Sequence, residues 1–179
     1  MAKANWVKVS PSSGSGNATV NVSSTAEHTG RVARESVLTF KAANVTDVTR
    51  SVIQAGKPEY VDVADAASAD KAGKSVTISG VSNSKKLTFS LGTGDLSITL
   101  PSSYTANSVS TSNGANISGD PGASQEYPFS ISISVPANTS VSSKTRQIIV
   151  TDEGGHTDVC TLTSAAGDAY LTVQLGNIE

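Results

Sequence analysis

Of the 179 residues, 48 are Ser or Thr and 19 are Val, against 8 aromatic residues and a formal net charge of -2, a composition that suits pleated surfaces better than helices. Near-balanced charge with no Lys/Arg cluster excludes a nucleic-acid binder working through a basic face. No apolar run approaches the ~20 residues of a membrane-spanning helix, and apolar alternation along the chain argues against disorder.

Period-2 alternation dominates and predicts an all-β chain. In chain order the predicted strands are Trp6–Val9, Ala18–Ser23, Ser36–Lys41, Asp47–Gln54, Tyr60–Ala64, Ser75–Ser79, Lys86–Leu91, Leu96–Leu100, Phe129–Val135, Gln147–Thr151, Asp158–Thr163 and Ala169–Gln174. Gly- and Pro-bearing clusters such as Ser10-Pro11-Ser12-Ser13-Gly14, Gly92-Thr93-Gly94-Asp95 and Gly119-Asp120-Pro121-Gly122 punctuate them. The two longest loops, Ser102–Tyr127 and Pro136–Arg146, are the expected contact points, and the first is expected to order only on docking.

Twelve short strands exceed what one small sandwich needs, and an internal repeat divides them. Thr46–Gly56 and Thr157–Gly167 align without a gap at an offset of 111, sharing Thr-Asp-Val at one end and Ala-Gly at the other. Upstream, Arg34 and Arg146 each open an aliphatic strand, and a Pro-Ser-Ser turn follows both Trp6–Ser10 and Leu96–Leu100. The reading is two sandwich domains in tandem, residues 1–58 and 59–179, the first without its opening strands. Such a domain has an open edge and a thin core, and is expected to be completed by its neighbour, another copy or a partner.

The run Trp6-Val-Lys-Val-Ser-Pro-Ser-Ser-Gly-Ser-Gly-Asn-Ala-Thr-Val-Asn-Val, with Arg34, a Val-rich hairpin and Val52-Ile53-Gln54-Ala55-Gly56 after it, resembles the C-terminal two thirds of a BACON domain. The resemblance covers residues 5–56 and, more faintly, 75–167, where Leu96 replaces the tryptophan and Ala165 the closing glutamine. It implies an immunoglobulin-like β-sandwich of the kind found in secreted glycan-handling proteins of gut Bacteroidetes and in virion proteins of crAss-like tailed phages. It implies no activity.

The residues carry little chemistry. The two histidines, His28 and His156, fall in presumed turns, short of the three or four converging ligands of a zinc site. Asp152, Glu153, His156 and Asp158 flank Gly154-Gly155 and read as a hairpin connection rather than a cation loop. Asp62, Asp65 and Asp70, beside Ala66-Ala67-Ser68-Ala69, read as a solvated inter-domain connection. Cys160 lies between apolar neighbours and reads as a buried small hydrophobe. No G-x-S-x-G elbow is present. Trp6, Phe40, Phe89 and Phe129 are expected in the core, which leaves Tyr104 as the candidate for an exposed partner contact.

No catalytic, cofactor or metal site is therefore expected. No apolar leader segment comes after Met1, so the chain reads as a product of the host cytoplasm destined for the virion. The expected role is an auxiliary, or decoration, capsid protein bound in many copies to the major capsid protein and neighbouring virion proteins, without nucleic acid or membrane. The alternative is a carbohydrate-binding or spacer module of a secreted glycan-utilisation protein, for which one loop tyrosine is a poor platform.

Overall fold

The computed structural model describes residues 3–15 and 17–171. Thirteen strands form four antiparallel or mixed sheets among these residues: β1 (Val7–Ser10), β2 (Asn21–Ser24), β3 (Arg34–Ala42), β4 (Val45–Gln54), β5 (Val61–Val63), β6 (Ala66–Ala69), β7 (Lys74–Ser82), β8 (Leu87–Gly94), β9 (Ser103–Ala106), β10 (Val109–Ser112), β11 (Tyr127–Val135), β12 (Lys144–Asp152) and β13 (Thr157–Ser164). The chain is all-β, with one 3₁₀ turn at Pro121–Ala123.

Residues 61–164 build a sandwich. One sheet runs β10-β9-β11-β7-β5 and the other β6-β13-β12-β8. Alternation creates its core: along β11, Tyr127, Phe129, Ile131, Ile133 and Val135 point inward and are buried, meeting Leu87, Phe89, Ile148, Val150, Cys160 and Leu162 from the opposite sheet. Phe89 lies edge-on to Phe129, with ring centroids 5.9 Å apart.

Among the described residues the N-terminal strands pair only with one another, β1 with β2 and β3 with β4. Their core is thin, centred on Val7 and Leu38. On β3 the buried residues are Ser36 and Leu38, with Phe40 half-buried, so the inward face of β4 carries their partners Val52, Arg50 and Val48. Of these only Val52 is partly covered.

Several expectations are corrected. Leu96–Leu100 is extended but belongs to no sheet: it crosses from β8 in one sheet to β9 in the other, burying Leu96 and resting Ile98 and Leu100 on the core. Apolar alternation there reflects a crossing segment, not a paired strand. Ala66–Ala69, read as an inter-domain connection, is β6, an edge strand parallel to β13. Ser102–Tyr127, read as a loop that orders on docking, holds β9, β10 and the 3₁₀ turn; Asn107 and Ser108, both at positive φ, make the two-residue turn between the strands. Finally, Trp6 is half-buried rather than core, and Val7 takes the interior position. Of the predicted strand Ala169–Gln174, residues 169–171 form no strand and the rest lie outside the described residues.

The gapless repeat also fails on facing. On β13 the buried residues are Cys160, Leu162 and Ser164, and an offset of 111 sets them against Thr49, Ser51 and Ile53, which lie on the outward face of β4. A one-residue slip reverses every side chain of a strand. The Arg34/Arg146 correspondence keeps its facing: Ser36 and Leu38 then match the buried Ile148 and Val150.

Candidate binding surface

Tyr104 is not exposed. It is 3% accessible, its ring tilted against Phe89 with centroids 4.8 Å apart. Burial pushes its phenol above the ordinary range, with the Leu87 backbone opposing the shift, and its hydroxyl makes no hydrogen bond of ordinary geometry. The hairpin of β9 and β10 carries it into the core, which its Ser/Thr-rich surroundings concealed.

The titratable clusters resolve into structural roles. Asp152, 4% exposed, accepts from His156 N and pairs with Nδ1 of the same residue, each at 2.8 Å; Gly155 at φ 87° completes the turn between β12 and β13. Asp70 accepts from Ala72 N at 3.0 Å and closes the turn into β7. His28 is buried, its Nε2 2.6 Å from Val32 O. Among the described residues no three His, Cys, Asp or Glu side chains converge on a metal position. Cys160 is wholly buried, and burial pushes its thiol up to about 11, opposite to the shift of an activated nucleophile.

Two arrangements remain that could meet a partner. The first surrounds Trp6. The Arg34 guanidinium lies over the indole, 4.6 Å from the ring centroid, and is held there by Gln54 Oε1 at 2.9 and 2.7 Å. Next along the unit is a groove of about 280 Å³, with half-buried Val20, Thr39 and Phe40 inside and exposed Pro11, Ser12 and Lys41 around it. Apolar floor and polar rim are the ordinary make-up of a small binding site, although this one is shallow and open. Phe40, expected in the core, instead lines this groove together with Pro11, Gly14, Ala18 and Val20.

The second is the junction of the N-terminal unit with the sandwich. Asn83, fully buried, donates through Nδ2 to the carbonyls of Thr29, Lys57 and Pro58 at 3.1, 3.3 and 3.1 Å, and accepts Tyr60 N at 3.0 Å. Arg31 donates to Asn83 O at 2.8 Å and pairs with Asp120. Main-chain bonds from Arg31 N to Gly122 O and from Val32 N to Ala123 O, each 3.0 Å, add a short ladder. A side chain at Gly122 would collide with the Asn83 carbonyl. Read from sequence, Asn83 is one polar residue of a Ser-Asn-Ser turn, and nothing local marks it as a junction.

Residues 1–55 match the family model described as "BACON: Putative binding domain, N-terminal". The match supports a BACON-type domain in the first third of the chain. No curated protein matches. Among solved structures, a protein from Bacteroides thetaiotaomicron, determined by NMR, aligns at 14% identity and TM-score 0.31 over 63% of this chain and 91% of its own. Cadherin-like domains 1 to 4 of zebrafish RET align at 14% identity and TM-score 0.37 over 90% of this chain and 41% of theirs.

Proposed function

We propose that this chain is a non-catalytic binding protein in which a β-sandwich presents the BACON-type N-terminal unit to a protein partner. The observation that carries the reading is the contrast between the two parts of the molecule. The sandwich buries most of its apolar residues, with Leu91, Val109 and Val141 the large ones it leaves out, whereas the smaller β3–β4 sheet leaves Val37 and Ile53 on its outward face, Val48 on the other and Val45 beside the turn, all between 44 and 67% exposed, while being anchored through Asn83 and Arg31. Apolar groups held out on an anchored support are a docking surface in kind.

In its finer form the proposal is an auxiliary capsid protein, bound in many copies to a major capsid protein. That setting is suggested by the resemblance of residues 5–56 to a family whose members include virion proteins, and on a lattice modest affinity per copy suffices because avidity multiplies it. The other reading, a carbohydrate-binding module of a secreted glycan-utilisation protein, draws on the Phe40 groove with its hydroxyl rim.

One pair of assays separates them. The purified chain is expected to co-sediment with expanded capsids of a crAss-like phage and to give no signal on a glycan array, and Val48→Asp is expected to abolish sedimentation. Micromolar glycan binding that Phe40→Ala removes, with no capsid binding, establishes the second reading instead.

A further inference from the structure

Between the Trp6 arrangement and the junction lies a cleft of about 330 Å³, walled by Val32 and Ala33 on one side and by Ala123 and Ser124 at the 3₁₀ turn on the other, and lined by His28 and Arg34. His28 is 6% exposed. Its Nε2 lies 2.6 Å from Val32 O, and a carbonyl only accepts, so Nε2 carries the proton and Nδ1 keeps its lone pair. Nδ1 has no partner among the described residues and is not sealed from solvent. Arg34, half-buried, is in a similar state. Its Nε and Nη2 donate to Gln54 Oε1 and its Nη2 also to Ala26 O, which leaves Nη1 without a partner among the described residues.

Every acceptor that Arg34 holds is therefore neutral. The carboxylates of the junction are engaged elsewhere: Asp120 pairs with Arg31, Glu126 accepts from the Tyr60 hydroxyl, and Glu27 stands 3.8 Å from Lys57. The imbalance extends to the whole unit. Residues 1–58 hold seven Lys and Arg against three Asp and Glu, whereas residues 59–179 hold six against twelve, a division hidden in the net charge of -2. A half-buried cation with only neutral acceptors gains from an anion, because charge-assisted hydrogen bonds are the stronger ones.

We propose that this cleft takes the carboxylate of an Asp or Glu side chain from a protein partner. One oxygen accepts from Arg34 Nη1 and the other from His28 Nδ1, which takes up a proton from solvent as the carboxylate enters. The exposed Ser124 hydroxyl is a further donor at the rim. Methyl groups of Val32, Ala33 and Ala123 flank the apolar stem of the incoming side chain, and the net positive unit steers it. One free guanidinium edge suits two oxygens, whereas a phosphate dianion draws on more cations than the cleft supplies. The protein source rests on the function proposed above, the carboxylate on the cleft itself.

Titration of the full chain with a capped peptide of four glutamates, followed by amide chemical shifts, is expected to move Val32, Ala33 and Ser124 most. Binding is expected to be at least about tenfold tighter than that of the same peptide made of glutamines. Affinity is expected to rise as pH falls from about 8 to about 6, where glutamate stays ionised, because one proton enters with the ligand. Arg34→Gln is expected to lose that tenfold, His28→Gln to flatten the pH dependence, and Lys8→Gln, which removes a charge outside the cleft, to cost less than about twofold. The two peptides are compared on the unaltered chain, so misfolding of a variant leaves the test in force. Equal binding of both peptides, shifts centred elsewhere or an affinity indifferent to pH overturns the proposal. Tetragalacturonate held in the cleft more tightly than the glutamate peptide overturns the protein source in favour of a sugar acid. Glutamate binding in the cleft by a chain that fails to sediment with capsids upholds the site and rejects only the capsid setting.

Discussion

The side-chain amide of Asn83 reaches across to the carbonyl of Thr29, 3.1 Å away, and joins two parts of the chain that share no sheet. The same amide satisfies Lys57 and Pro58, so one buried side chain holds the loop before β3, the chain leaving β4 and the turn after β7.

Asn83→Ala is therefore expected to cost about 2–3 kcal/mol, because three carbonyls and the Tyr60 amide lose their partner in a site closed to water. Urea unfolding measures the loss. Hydrogen exchange should show the Arg31 and Val32 amides opening ahead of the sandwich core, since their ladder to Gly122 and Ala123 depends on the same junction. Unchanged protection at these two amides refutes the linking role.

Tyr104 separates packing from polarity. Its ring is wedged against Phe89, yet its hydroxyl is buried without a partner. Tyr104→Phe is expected to change stability by less than about 1 kcal/mol, in the stabilising direction, whereas Tyr104→Ala is expected to cost about 3–5 kcal/mol through the cavity it leaves. Thermal unfolding of the two variants is the measurement, and equal losses would contradict the assignment.

Burial raises the Cys160 thiol to about 11 and also raises the phenols of Tyr60, Tyr104 and Tyr127, so the folded state holds protons that the unfolded chain releases. For Cys160 the contribution is fully present below its ordinary value near 9 and is lost as pH rises from there to about 11, in total about 2–3 kcal/mol. Unfolding free energy is expected to fall across that window, and Cys160→Ala is expected to flatten the fall. A pH profile as steep in the variant would place the effect wholly on the tyrosines.

Period-2 alternation made the all-β class legible, and it located the long strands β3, β7, β11, β12 and β13 because each buries one face; β4 was found by its Val and Ile content although both of its faces are largely exposed. It misread Leu96–Leu100, where a segment crossing between sheets buries the same alternate residues without pairing. It passed over β6, β9 and β10 because a four-residue strand with at most one large apolar residue, Tyr104 in β9 and Val109 in β10, shows no repeat of alternation. The Thr-Asp-Val match between β4 and β13 was misleading for a related reason: identity of residues says nothing of which face they occupy, whereas Arg34 and Arg146 retained it. Asn83 was illegible because its meaning comes from carbonyls 25, 26 and 54 residues away.

The arginine correspondence yields the remaining prediction. Arg34 covers the ring of Trp6, while Arg146 donates to the carbonyl of Leu96 at 2.9 Å, so in each half an arginine opening a hairpin strand holds the start of the segment before the Pro-Ser-Ser turn. Trp6 is the only tryptophan, which makes its fluorescence a reporter of this one contact. Arg34→Ala removes the cation from the ring and the donors from Gln54 and is expected to shift the emission to the red and cost about 1–2 kcal/mol. Arg34→Lys retains the charge but not the planar fork that grips Gln54 while lying on the indole, so it is expected to recover less than half of the stability. An emission maximum that moves in neither variant would show that solvent already reaches the ring and that the guanidinium does not cover it.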